Sequence, residues 1–271
     1  MDPPVAMTIA GSDSGGGAGL QADLKTFAAH GVFGTSVVTA VTAQNSSEVR
    51  GVLAVDPSFV ELQIDTVVSD LPVASVKTGM LASSATVAAV ARWAAEGRLP
   101  NLVVDPVLVA STGRRLLDDG GVDAYLRLLL PHALVATPNT REAALLTDTT
   151  VEDVDGMVRA ARRLADTGVS AVIVKGGHLS GDHAPDVVLF EDQVHVLDGP
   201  RLVSDNDHGT GCTLSAATAA LLARGVGLLD ALAQAKAFVT TALAGSSQWH
   251  LGAGHGPLDH FGWGSTSPAG R

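Results

Sequence analysis

The chain has 271 residues, 46% hydrophobic but only 4% aromatic, and a formal net charge of −11 at pH 7. An acidic chain without a lysine–arginine cluster argues against nucleic acid or an anionic membrane as partner. One cysteine excludes an internal disulfide and argues against a cysteine-based zinc site.

Residues 1–271 suit one large α/β domain, with Pro/Gly/Ser-rich ends at about 1–5 and 264–271 expected to be loose. The first residues lack a basic stretch followed by a long apolar one, and no window reaches about 18 apolar residues. The expectation is a cytoplasmic protein. In chain order, short and nearly continuous apolar runs predict strands at 6–11, 35–43, 74–77, 102–105, 134–137 and 171–175, the pattern of buried parallel strands. Between them, helices are predicted at 18–30, 58–69, 84–96 and 122–130, then from near Asn139 and from Val151. In the last of these, Val154, Met157, Val158, Ala161 and Leu164 recur at helical spacing. A hairpin around Glu191-Asp192 follows, then a helix carrying Cys212, then one over about 229–246. The alternation predicts an α/β fold: a doubly wound, mostly parallel sheet with helices on both faces.

Open α/β sheets bind ligands beyond the carboxyl ends of their strands. There the six predicted strands deliver "GSDSGGGAG", "QNSS", "TGM", "PV", "PNTRE" and "GGH". The first has five glycines in nine residues and opens a helix, without the spacing of a dinucleotide fingerprint or a Walker A loop. It reads as close backbone approach to a ligand or as a flexible turn. Gln44 carries both a donor and an acceptor, which suits an aminopyrimidine edge, or it is a plain loop amide. Asp105 holds a cation or caps a helix. Asn139 and Glu142 share one helix face, for helix-start chemistry or for a metal. Lys175 ends a buried strand beside two glycines, where an ammonium needs an anion. In "HGTGC", Gly209, Thr210 and Gly211 open a helix whose free N–H groups suit a phosphate. The same field would lower the thiol pKa of Cys212, unless that residue merely packs the helix. His250, His255 and His260, five apart, are not one helix face and read as turn or cap residues.

Taken together, "TIAGSDSGGGAGLQADLKTF", "VTAQNSS", "KTGML", "DPV", "TPNTREA", "VKGGH", "HGTGCTLSAA" and "GHGPLDHF" resemble the hydroxymethylpyrimidine/phosphomethylpyrimidine kinases of thiamine biosynthesis, a family of the ribokinase-like superfamily. The resemblance runs from about Met7 to Phe261. It implies an ATP- and magnesium-dependent enzyme that phosphorylates 4-amino-5-hydroxymethyl-2-methylpyrimidine and then its monophosphate. It further implies Gln44 on the pyrimidine edge, with Gly11, Asp23, Met80 and Val107 around the ring. Asp105 and Glu142 would lie near magnesium, with Asn139, Lys175 and Thr210 near the ATP phosphates. Gly209, Thr210 and Gly211 would form the anion hole, and Cys212 would be the base. A homodimer is implied as well. The chain departs from the family at Asp207, where threonine is common, and at Ser46-Ser47-Glu48. Pyridoxal kinases share the fold and several motifs. A pyridoxal-type kinase or a non-catalytic pyrimidine-binding protein are the rival readings, and whether residues 181–185 form a lid stays open.

Overall fold

The structure, a computed structural model, describes residues 2–109 and 116–265. Its centre is one nine-stranded sheet in the order β3-β2-β1-β4-β5-β6-β7-β8-β9. The strands are β1 (Val5–Gly11), β2 (Phe33–Gln44), β3 (Val49–Ala54), β4 (Val73–Thr78), β5 (Leu102–Val104), β6 (Val135–Ala136), β7 (Ala171–Lys175), β8 (Asp186–Phe190) and β9 (Gln193–Leu197). The six strands from β2 to β7 in that order run parallel, and β3, β8 and β9 are antiparallel additions at the two edges. Central β1, "VAMTIAG", is buried along its whole length, as a strand covered on both faces must be.

The helices are α1 (Gly19–Ala29), α2 (Pro57–Val68), α3 (Ser84–Ala95), α4 (Gly121–Ala124), α5 (Thr140–Thr147), α6 (Val154–Ala165), α7 (Thr210–Ala223) and α8 (Leu228–Ser246). Successive strand residues point to opposite faces, and each face has its own core. On one, Met7, Ile9, Val76 and Val104 meet Val60, Ile64, Val87, Val90, Met157 and Leu164 from α2, α3 and α6. On the other, Ala6, Val103, Val135 and Ile173 meet Phe27 of α1 and the alanine- and leucine-rich α7 and α8. Helix α7 is buried from Thr213 to Leu222, because it lies between the sheet and α8. Its alanines let that middle layer pack closely on both sides. Among the described residues no helix is long and apolar enough to cross a membrane.

The structure corrects several predicted boundaries. Strand β3 has no counterpart among the predicted strands. It is an edge strand with a largely exposed pattern, so it lacks the buried run that marks the others. The predicted helix at 122–130 is α4 continuing into a π-helical turn, Tyr125–Leu129, and a 3-10 turn, Leu130–His132. Pro131 has no N–H to extend a regular ladder there. Val5, assigned to a loose end, is buried in β1. Gly264 and Ser265 belong to a 3-10 turn, Trp263–Ser265, and Met1 and 266–271 lie outside the described residues.

Candidate active site

The site stands at the carboxyl ends of the parallel strands and begins with the glycine-rich turn between β1 and α1. Its organiser is Asp13, which is buried. One carboxylate oxygen accepts the Gly15 N–H at 2.8 Å; the other accepts those of Gly17 and Ala18 at 3.0 and 2.8 Å and the His208 Nε2–H at 2.9 Å. Helix α1 has no cap from its own first residue, so Asp13 supplies it from five positions upstream. Burial pushes the Asp13 carboxyl up, but these bonds outweigh it and hold the group below its ordinary range.

A second glycine turn faces the first. Gly209 adopts φ +90°, and a Cβ there would overlap the Gly17 carbonyl oxygen. Only glycine satisfies both demands. Gly211 follows in the first turn of α7, where a Cβ would lie 3.0 Å from Lys175 Nζ. The missing side chain therefore leaves the opening between an ammonium and a helix N-terminus.

Lys175 is held by Asp105. Its Nζ lies 2.8 Å from Asp105 Oδ1, while Ser215 Oγ donates to Oδ2 at 3.2 Å. Burial works against the Lys175 charge, yet Asp105 and Glu142 keep its pKa above the usual value. Burial likewise opposes the Asp105 charge, and Lys175 and Lys77 overcome it. Asn139 and Glu142 form a complete capping box at the start of α5. Asn139 Oδ1 accepts the Arg141 and Glu142 N–H groups at 2.9 Å, and Glu142 Oε2 accepts the Asn139 N–H at 2.8 Å. The helix-start reading of that pair is thus present. Burial pushes the Glu142 carboxyl up to about 7, against the pull of Lys175.

At the end of β1, Gly11 and Met80 are packed so closely that a Cβ on the glycine would overlap Met80 Cε. Gln44 Nε2 sits 3.3 Å from His208 Nε2. The single Nε2–H of that ring is directed at Asp13. Val107 is half-buried, two residues past Asp105, to whose carbonyl its N–H donates at 2.9 Å. Asp23 is enclosed. It is 0% exposed, its oxygens each 2.9 Å from Lys77 Nζ, and Thr8 Oγ1 donates to it at 2.6 Å. Its carboxylate is fully engaged by Lys77 and Thr8.

Cys212 brings a correction. The helix N-terminus was expected to lower its pKa, but burial pushes the thiol up to about 11, although Lys77 and a Gly19 amide bond pull the other way. Desolvation of a thiolate outweighs the helix field here. The histidines are more than turn residues. His255 Nδ1 shares a hydrogen bond with Asp207 Oδ1 at 2.6 Å on the surface. Buried His260 shares a hydrogen bond with Thr213 Oγ1 of α7 at 3.0 Å. Residues 181–185 are tied back. Arg201 donates to the carbonyls of Gly181 and Gly177, both at 2.7 Å, and to that of His183 at 3.2 Å.

Sequence reasoning missed Asp13, His208, Lys77 and Ser215 as parts of this site. An aspartate two, four and five residues ahead of backbone amides in a glycine-rich turn is a readable signal for Asp13. Nothing local marks the others, which the topology brings together. For a metal there are two carboxylates at the same end of the sheet, Asp105 just after β5 and Glu142 in α5. Among the described residues no three His, Cys, Asp or Glu side chains could hold an ion by themselves. This donor set fits a hard cation that shares its ligands with nucleotide phosphates.

The family model described as phosphomethylpyrimidine kinase matches residues 13–259. The hydroxymethylpyrimidine/phosphomethylpyrimidine kinase of Rhizobium meliloti is 49% identical over 259 residues, covering 95% of this chain and 97% of that one. An ADP complex of Bacillus subtilis pyridoxal kinase superposes with a TM-score of 0.89 at 35% identity, covering 96% and 98% of the two chains. A phosphomethylpyrimidine kinase from Clostridium difficile superposes with a TM-score of 0.78 at 36% identity, covering 88% of this chain and 98% of that one. The match along almost the whole chain, with both glycine turns in place, establishes that this chain belongs to the phosphomethylpyrimidine kinase family.

Proposed function

We propose that the chain is a kinase that transfers the γ-phosphoryl group of ATP to hydroxymethylpyrimidine and then to its monophosphate, as in thiamine biosynthesis. The observation that carries this reading is the gap at Gly211, bounded by Lys175 Nζ and the start of α7. Phosphoryl transfer needs positioning and charge stabilisation above all. An ammonium facing free helix N–H groups supplies both.

In this reading Gly209, Thr210 and Gly211 cradle the transferring group, and Lys175, Asn139 and Thr210 serve the ATP phosphates. Asp105 and Glu142 would hold magnesium, which neutralises phosphate charge when bound. Gln44 reads the pyrimidine edge, and Gly11, Met80 and Val107 close around the ring. The substrate hydroxyl O–H bond breaks and its proton passes to Cys212 Sγ. The oxygen bonds to the γ-phosphorus, and the bond from phosphorus to the bridging oxygen breaks, leaving its electron pair on ADP. Cys212 must be a thiolate to accept that proton, so its role depends on the cations near it. The chain would work as one doubly wound, ribokinase-like domain in the cytoplasm. It would also pair with a second copy, a reading supported by Val41 and Leu53, which face each other across β2 and β3 while 49% and 73% exposed.

The test is ATP consumption by the purified chain with magnesium, offered hydroxymethylpyrimidine, its monophosphate and pyridoxal in parallel. Turnover of both pyrimidines with pyridoxal slow is expected. Fast pyridoxal and idle pyrimidines would replace this reading with the pyridoxal-type kinase, which the close superposition on the B. subtilis pyridoxal kinase favours.

A further inference from the structure

The active-site reading leaves one buried pair without a role. Lys77 and Asp23 are both 0% exposed and joined by two contacts of 2.9 Å. A buried ion pair adds little stability over well-packed apolar residues, so its position matters more than its strength. Ser75 and Lys77 alternate with Val76 along β4, and Val76 belongs to the opposite core. Ser75 Oγ donates to the Ala219 carbonyl of α7 at 2.6 Å, which places this face of β4 directly under that helix. Two residues further towards the carboxyl end stands Lys77. Seven residues back along α7, about two turns and so on the same side, stands Cys212. A Cβ on Gly79 would lie 2.9 Å from Lys77 Nζ, so the ammonium reaches past the last residue of β4 towards the site. Asp23 meets it from α1, which packs on α7.

We propose that Lys77 is a positioning residue for Cys212: clamped by Asp23 below the first turns of α7, its ammonium stabilises the thiolate that takes the substrate proton. The second half of this statement rests on the kinase reading above; the first half does not. Four charged groups act on the thiol electrostatically: Lys77 from β4, Lys175 from β7, Asp23 from α1 and Asp105 from the turn after β5. Of the two cations, Lys175 is engaged by Asp105 and by the gap at Gly211. Lys77 gives its hydrogen bonds to Asp23 and shares the rest of its charge with Asp105. Asp23 thereby sets how much of that charge reaches the sulfur.

The two partners give opposite expectations. Asp23→Asn frees the Lys77 charge for Cys212 and eases thiolate formation, while Lys77→Met removes the cation and impedes it. Cys212 is the only thiol of the chain, so the pH profile of its alkylation by iodoacetamide, paralleled by thiolate ultraviolet absorbance, reads it alone. The full-length chain is used without nucleotide. The midpoint is expected to fall in Asp23→Asn and to rise in Lys77→Met, each by about one pH unit, or about tenfold in rate at a fixed pH below both midpoints. A merely structural role loosens the core and exposes the thiol, which speeds alkylation in both variants. Shifts in the same direction, or none, would overturn the proposal. Should Lys77→Met not fold, Asp23→Asn decides: a midpoint unchanged or raised sinks the idea. Since alkylation needs no substrate, a wild-type chain idle on pyrimidines would fail the kinase reading and leave the thiol result standing.

Discussion

His208 Nε2 lies 2.9 Å from Asp13 Oδ2, although the two residues are 195 positions apart. This bond ties the glycine turn before α7 to the one before α1, the two surfaces between which a phosphoryl group would sit. The Asp13 carboxyl is held below its ordinary value of 3.8. A depressed folded pKa gives stability that is present above about pH 3.8 and lost as the pH falls through the folded value. Asp13→Asn should therefore lower the urea midpoint at pH 7, and the gap from wild type should narrow below about pH 3.8. A gap of equal size at pH 7 and pH 3 would show that the charge is not what matters.

His260 gives a second, separate pH window. Burial, helped by Lys25, pushes its pKa down to about 4 from 6.5. The unfolded chain then takes up a proton that the folded one refuses between these values. Stability contributed above about pH 6.5 is lost progressively towards pH 4, by roughly 3 kcal/mol at most. His260→Gln, which keeps a partner for Thr213, should flatten that part of the stability curve in chemical denaturation from pH 7 to 4.

Cys212→Ala should slow the alcohol reaction more than the monophosphate reaction. The alcohol must lose a proton, whereas the monophosphate is already an anion. A general base contributes about 100-fold or more, so the expected loss in kcat is of that order for the first acceptor and smaller for the second. Equal losses, measured by ATP consumption with each acceptor, would assign Cys212 a positioning role alone.

Gly209→Ala combines a left-handed backbone with an overlap on the Gly17 carbonyl. The conformational part alone costs about 1–2 kcal/mol. A fall in Tm of about 5 °C or more is expected in calorimetry, with kcat down about 100-fold from misplaced N–H groups. A variant with unchanged Tm would mean that the turn relaxes without cost.

Arg201 holds residues 177–183 through three carbonyls. In Arg201→Ala these lose their shared donor. Amide hydrogen exchange over 177–184 should rise about tenfold, while the strands β7 and β8 keep their protection. No change in that segment would show that its own turns suffice.

The parallel strands were legible because burial on both faces writes an uninterrupted apolar run, as in "AVIVK" of β7. Edge strand β3 writes no such run, since half of it faces water. The glycine turns were legible from spacing alone, but the bond that unites them was not. It depends on two side chains that only the strand order brings together. The surroundings of Asp23 were not legible either. It sits in a motif full of site residues, and only the placement of Lys77 on the same face of the sheet turns it inward. The Cys212 pKa was misjudged for a related reason. A helix start is visible in sequence, while the cost of taking its thiolate out of water is not.

The short segment at 256–260 has a consequence for the birth of the protein. Gly256 accepts the His208 N–H at 3.1 Å and donates to the Asp205 carbonyl at 2.8 Å, Pro257 bridges to His208, and His260 holds Thr213. None of these touches a reacting group, yet the turn before α7 leans on all of them. A nascent chain whose residues 256–260 are still inside the ribosome already has every strand of the sheet and every residue proposed for the chemistry. It still lacks the strap that shapes their meeting point, so the pocket takes working form only once residues 256–260 have left the ribosome.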